Sequence, residues 1–289
     1  MRNQAEILRK AIKDHTKPQR IIAVTSGKGG VGKSNLVINM SIALASGGTK
    51  VLVIDADIGL GNIDLLLGMT TKYTLEHVAL GEVDLKDIEV AGPGGIKIIP
   101  GGSGAQRLLR VSEEEREALI EKLKSLGHEA DFIIIDTGAG LSPNVLAFLT
   151  SVREIVVVTT PEPTAVADAY AAIKTIAYEN PGASVMLVVN MAKNRKNAED
   201  TADNISIVAR KFLAMETDFL GFVPRDPAVI NAVISQQPFF LAYPYSDASR
   251  AVMRVAKRLN GQKIQEGNNI RGLAGLFSKM FHKVRHRYV

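Results

Sequence analysis

Ile21-Ile22-Ala23-Val24 is an unbroken apolar run rich in β-branched side chains, and Gly27-Lys28-Gly29-Gly30-Val31-Gly32-Lys33-Ser34 follows it almost at once. After Ser34, the stretch Asn35 to Ala45 repeats its apolar residues at helical spacing and stops at Gly47-Gly48. A short run of this kind reads as a strand buried on both faces, and glycines just past a periodic segment read as a helix end. Strand, glycine loop and helix in that order confine the chain to a parallel α/β architecture. The loop also fits the pattern G-x-x-x-x-G-K-[ST], whose backbone N–H groups cradle phosphates at a helix N-terminus. An incidental glycine-rich turn lacks the strand before it and the helix after it. In this pattern Lys33 reaches the β- and γ-phosphates and the Ser34 hydroxyl holds Mg²⁺. Lys28 is an extra cation at the mouth of the loop, where an exposed lysine is ordinarily only solvated.

Further strand-like runs near 21–25, 51–55, 96–99, 132–136, 155–160, 184–190 and 219–223 alternate with helical patterns. One helix is signed by a capping box at Ser112-Glu113-Glu114-Glu115, ahead of Leu119, Ile120 and Leu123. Repeated β-α alternation predicts a mostly parallel, doubly wound sheet with helices on both faces, the α/β fold of P-loop NTPases, in one domain. A chain of 289 residues that is 46 % hydrophobic can bury one large core of this kind. It contains no cysteine, which excludes disulfides and a cysteine-held iron–sulfur cluster. No apolar run approaches the ~20 residues that span a bilayer, and no signal peptide is evident. The expectation is a cytoplasmic protein, or one peripheral on the inner face of the membrane.

Two acidic segments complete the candidate site. The run Val51-Leu52-Val53-Ile54 ends in Asp55-Ala56-Asp57, and Phe132-Ile133-Ile134-Ile135 ends in Asp136-Thr137-Gly138-Ala139-Gly140. Carboxylates at the carboxyl ends of parallel strands lie where such sheets bind ligands. Asp57 is placed to orient a water beside a γ-phosphate, Asp55 to sit near Mg²⁺, and Asp136 to bind the ion through water. For Asp55 and Asp57 the plainer reading is capping of the next turn.

The segments 28–34 (K-G-G-x-G-K-S), 55–64 (D-x-D-x-G-x-x-N-x-D) and 133–137 (I-I-I-D-T) together resemble the MinD/ParA family of deviant-loop ATPases. The similarity runs over nearly all of 20–260 and implies ATP and Mg²⁺ as cofactors, slow hydrolysis and an ATP-sandwiched homodimer. It implies that Lys28 crosses to the partner's phosphates and that Asp57 positions the water. Glu162, in Thr160-Pro161-Glu162-Pro163, would approach the partner's nucleotide. Asn190 would read the adenine, and Pro224-Arg225-Asp226 would cover its other side. Asn35 stands where many relatives carry Thr, on the α-phosphate side. For Asn190 the alternative is a simple loop start. For Asp226 it is an N-cap, because Pro227 follows as an N1 proline.

The two ends differ from the core. From Gln262 to Val289 there are six Lys and Arg and one acid, Glu266, so the segment carries +5, equal to the net charge of the whole chain. The remainder is close to neutral, which argues against nucleic acid as a broad electrostatic partner. In this tail Ile270, Leu273, Phe277, Met280 and Val284 follow a 3-4-3-4 rhythm, with Phe281 beside the stripe. A basic amphipathic helix of this kind reads as an anchor on an anionic membrane surface. A helix packed on its own domain, a ligand for a partner's helix groove and a nucleic-acid tail are the alternatives. The head, 1–19, holds Asn3-Gln4-Ala5-x-x-Leu8-Arg9, which resembles the D-Q-A-x-x-L-R motif of the FlhG branch (YlxH, FleN), with Asn3 in place of the aspartate. That branch governs flagellar number and placement. The similarity implies that Gln4, Leu8 and Arg9 stimulate an FlhF-type GTPase, and that flagellar switch or basal-body components, or a flagellar transcription regulator, are further partners. The chain thus divides into an activating head (1–19), an ATPase domain (20–261) and a linker with membrane helix (262–289). Septum-site MinD and partitioning or transcription-regulating ParA ATPases are the alternatives. The basic stretch Met191 to Asn197 reads as a solvated loop.

Overall fold

A computed structural model describes residues 19–57, 61, 63–102 and 130–262. The head and tail calls, from Gln4 to Arg9 and from Ile270 to Val284, lie outside these residues, as does the capping box at Ser112. The strands are β1 (Arg20–Ser26), β2 (Val51–Ala56), β3 (Val90–Ala91), β4 (Lys97–Ile99), β5 (Phe132–Ala139), β6 (Glu154–Thr159), β7 (Ser184–Ala192) and β8 (Thr217–Pro224). They form a single sheet in the order β3-β4-β2-β5-β1-β6-β7-β8. Every pairing is parallel except β3 with β4. β3 is the element that the apolar pattern does not announce: two residues long, at the sheet edge, with half-buried Val90 and exposed Ala91.

The central runs are apolar at every position because both faces of the sheet are covered. Alternate residues of β1 and β6 enter opposite cores. Ile22, Val24, Val156 and Val158 join one cluster, which the Lys33–Ala45 and Asp247–Leu259 helices pack against. Ala23, Ile155 and Val157 join the other, beneath the Pro163–Glu179 and Arg195–Leu213 helices. Side chains alternate across a strand, so a two-layer cover leaves no position for a polar side chain until the strand ends.

β1 lies between β5 and β6, whereas the chain continues from β1 to β2 on the far side of β5. Ligands of open α/β sheets bind at such a reversal, outside the carboxyl ends of the strands. The register places the key residues level: Asp136 of β5 pairs with Val24 of β1 on one side and with Asp55 of β2 on the other. Two carboxylates therefore stand abreast, level with Val24, three residues before the glycine loop begins at Gly27.

At the opposite, amino-terminal end of β1 one arginine joins several elements. Arg20 Nε donates to Glu154 Oε1 at 3.0 Å, its terminal nitrogens meet Glu154 Oε2 and the Leu259 carbonyl, and its guanidinium lies 4.9 Å from the Phe132 ring centroid. Among the described residues, no helix is long and apolar enough to cross a membrane.

Candidate functional site

The glycine loop is shaped by contacts as much as by conformation. A Cβ on Gly27 would overlap the Asp168 carbonyl in the Pro163–Glu179 helix, so the loop root lies directly against that helix backbone. Gly32 has φ +82°, a left-handed conformation that side chains disfavour, and a Cβ there would overlap Asn190 Nδ2. The Lys33–Ala45 helix begins immediately after Gly32 with no side-chain cap and no acid in its first turn. Its leading N–H groups thus have no side-chain acceptor and point into the loop.

Inside the loop Lys33 is buried and paired with Asp136 Oδ1, with Ser34 Oγ 3.5 Å from its Nζ. Asp136 is fully buried, and its Oδ2 has no hydrogen-bond partner among the described residues. Burial pushes its carboxyl above the usual range while Lys33 opposes that shift. Asp55 is also buried, and desolvation, together with the charge of Asp136, raises it to about 7. Asp55 Oδ1 accepts from the Asp57 N–H at 3.2 Å, and its Oδ2 accepts weakly from the Ile63 N–H at 3.5 Å. Asp57 is half-buried, and its Oδ1 would stand 3.0 Å from a Cβ on Gly138. The cluster holds one buried cation among three carboxylates, with an orphaned oxygen and an uncapped helix start. An anion with a bound cation satisfies all of these groups at once.

Lys28 occupies a different environment. It is exposed, and its Nζ reaches Thr164 Oγ1 at 3.0 Å and Glu162 Oε2 at 3.4 Å, both at the start of the Pro163–Glu179 helix. The site therefore brings Lys28 and Glu162 together within one chain. Thr164 was not singled out in the sequence, because a lone threonine in a helix's first turn carries no pattern.

A cleft of about 430 Å³ opens beside the loop. Gly32, Asn35, Asn190, Pro224, Arg225 and Asp226 line it, all of them residues named from the sequence as nucleotide contacts. Its apolar wall, formed by Met191, Val229, Ile230, Val233 and Phe239, has no signal in the sequence beyond ordinary core spacing. Met191 carries φ +54°, a strained value just before the end of β7, where the strand borders the cleft. Asn190 Nδ2 donates to the Val31 carbonyl at 2.7 Å and its Oδ1 accepts from the Met191 N–H at 2.9 Å, so it ties the cleft to the loop. Asp226 caps the Pro227–Ile234 helix, its Oδ1 accepting from the Ala228 N–H at 2.9 Å, and its Oδ2 accepts from the Ala248 N–H at 3.1 Å in the first turn of the Asp247–Leu259 helix, whose own cap is Ser246. The capping alternative thus holds for Asp226 while the residue also lines the cleft. The Asn35 side chain accepts from Asn39 Nδ2 at 2.7 Å, and Asn39 Oδ1 accepts from the Phe240 N–H at 2.8 Å.

A family model described as ParA, NUBPL iron-transfer P-loop NTPase, matches residues 17–260. The chain belongs to the ParA/MinD family of P-loop NTPases. This ParA/MinD chain has no cysteine with which to hold an iron–sulfur cluster. It is similar to the antiactivator FleN of Pseudomonas aeruginosa, 36 % identical over 243 residues, which cover 84 % of this chain and 87 % of that protein. It is also similar to the flagellum site-determining protein YlxH of Helicobacter pylori, 38 % identical over 215 residues, covering 74 % and 72 %. Among solved structures, the septum site-determining protein MinD complexed with Mg-ADP from Pyrococcus horikoshii superposes with a TM-score of 0.71 at 26 % identity, covering 89 % of this chain and 98 % of that one.

Proposed function

We propose that this ParA/MinD NTPase is an ATP-driven switch. With ATP and Mg²⁺ it forms a homodimer that docks reversibly on an anionic membrane surface and regulates flagellar number and placement. The observation that carries the reading is the contrast between the two loop lysines: Lys33 is buried and paired, whereas Lys28 is exposed and parked on Glu162 and Thr164. A cation that its own chain does not bury is available to a second copy. The flagellar part rests on the similarity to FleN and YlxH.

In this reading Lys33 and the N–H groups from Gly29 to Ser34 bind the phosphates. Ser34 and Asp136 hold Mg²⁺, with Asp55 beside them. Among the described residues no cluster of three or more His, Cys, Asp or Glu would hold a metal unaided, which fits an ion shared with phosphate oxygens. Bound Mg²⁺ supplies charge neutralisation at the phosphates. Asp57 orients the attacking water, and Asn190, Pro224, Arg225 and Asp226 flank the base. Lys28 and Glu162 face the partner's nucleotide. The tail at 270–288 grips the membrane when two copies act together, because effective concentration strengthens paired weak anchors. The head, through Gln4, Leu8 and Arg9, stimulates an FlhF-type GTPase.

The test uses the full chain with ATP, ADP or no nucleotide, scored for dimer mass, pelleting with anionic vesicles and turnover by an FlhF-type GTPase. Asp57→Ala should bind ATP and accumulate as a vesicle-bound dimer. An Asp57→Ala protein that binds ATP and stays monomeric both in solution and on vesicles would sink the switch.

A further inference from the structure

Asn39 is 1 % exposed, in the middle of the Lys33–Ala45 helix between buried Ile38 and Met40. Asparagine is a poor helix former, and a buried amide costs stability unless both its ends are bonded. Here both ends are bonded. Asn39 Oδ1 accepts from the Phe240 N–H at 2.8 Å. Asn39 Nδ2 donates at 2.7 Å to the Asn35 carbonyl and at 2.7 Å to Asn35 Oδ1. The backbone partners fix which way round this amide lies. A backbone N–H can only donate and a backbone carbonyl can only accept, so Asn39 has its oxygen towards Phe240 and its nitrogen towards Asn35. Phe240 belongs to the short Phe239–Ala242 helix, whose N-cap Pro238 offers no side-chain acceptor. The bond to Asn39 therefore answers one of that helix's leading N–H groups.

The polarity passes on to the next amide. The Asn35 side-chain atom that faces Asn39 Nδ2 has to be its oxygen. An asparagine able to turn over can offer a ligand either its carbonyl or its NH₂. Asn35 can offer only the NH₂, which has no partner among the described residues. Asn35 is third in its helix, half-buried, and lines the cleft beside Gly32. Asn39 lies one turn further along the helix, outside the cleft lining. Phosphate oxygens at a helix N-terminus accept hydrogen bonds and repel a carbonyl. We propose that Asn39 is a positioning residue for the nucleotide: without touching it, Asn39 locks Asn35 with its NH₂ towards the phosphates. The proposal rests on nucleotide binding at the glycine loop. A hydroxyl at position 35 would need no such lock, because it rotates to donate.

The test is a double-mutant cycle in the full chain, read as the Kd for Mg²⁺-ADP by titration calorimetry. Asn39→Ala releases Asn35 to turn over and should raise Kd roughly tenfold, the loss of one hydrogen bond to a charged group. In an Asn35→Thr background the same Asn39→Ala change should move Kd by less than about twofold, because the threonine hydroxyl orients itself. A purely structural Asn39, acting through Phe239 in the cleft wall, would weaken both backgrounds by the same factor. Asn39→Asp keeps the shape and the acceptor for Phe240 and removes only the donor, so it takes the place of Asn39→Ala if that protein does not fold. Its added charge acts in both backgrounds alike and drops out of the comparison. Equal factors in the two backgrounds, or an unchanged Kd for Asn39→Ala with Asn35 present, overturn the positioning role and leave the nucleotide site intact. Failure of wild type to bind Mg²⁺-ADP overturns the nucleotide site itself.

Discussion

Asp55→Asn tests whether the buried acidic pair governs stability as its burial requires. In the folded chain Asp55 titrates near 7, against 3.8 when unperturbed, because desolvation and the charge of Asp136 both disfavour its anion. Between those values the folded protein holds a proton that the unfolded chain releases. This contribution is complete below pH 3.8 and is lost as pH rises to about 7. At ~1.36 kcal/mol per pH unit, the two units from pH 5 to 7 remove about 3 kcal/mol, and little more is lost by pH 8. Asn has nearly the shape of the neutral carboxyl and cannot ionise. Urea unfolding of the nucleotide-free, Mg²⁺-chelated protein should therefore show wild type losing about 3 kcal/mol more than Asp55→Asn between pH 5 and 8. The variant should be the more stable protein at pH 8. Parallel pH profiles for the two proteins would mean that Asp55 titrates as an ordinary carboxyl, and would refute the electrostatic account of the site.

Two further outcomes follow from backbone geometry. Gly32→Ala places a Cβ at φ +82° and against Asn190, so it should cost ~1–2 kcal/mol of stability and eliminate binding of a fluorescent ATP analogue while leaving the far-ultraviolet circular dichroism unchanged. Asp226→Ala removes the cap of the Pro227–Ile234 helix and one further acceptor at the start of the Asp247–Leu259 helix, which keeps its Ser246 cap, so chemical denaturation should report a loss of ~1–2 kcal/mol; a loss below ~0.5 kcal/mol would mean that these two bonds contribute little.

Much of this architecture is legible in the chain because a doubly covered parallel sheet writes itself as apolar runs. The seven longer strands all coincide with such runs, and the register at Asp55 and Asp136 follows from where the runs end in acid. β3 is invisible because two edge residues, one exposed and one half-buried, have no period to detect. β5 and β7 continue to Ala139 and Ala192, past the last apolar residue of their runs, because pairing with a neighbour, not side-chain polarity, decides where a strand stops. At the site, the glycine loop and its acids announce themselves by type and spacing. The parking of Lys28 on Thr164 and the tie from Asn190 to the Val31 carbonyl do not, since each joins residues more than 130 positions apart. Asp226 matches two patterns at once, and the fold uses one of its oxygens for a cap and the other for a bond to a second helix, in the wall of one cleft.

Arg20 and Gly27 bracket a single strand of seven residues, β1, about 23 Å from end to end at ~3.3 Å per residue. One end opens into the phosphate loop. The other holds Glu154 and the Leu259 carbonyl, beside Gln19 and Gln262, the points through which residues 1–18 and 263–289 join the body. Whatever either terminal segment does begins at one corner, a full sheet-height from the phosphates. β1 runs between them, a stiff strand that opens into the glycine loop at one end and is held by an arginine clasp at the other. A spin label or fluorophore at that corner would read the clasp directly, without touching the loop.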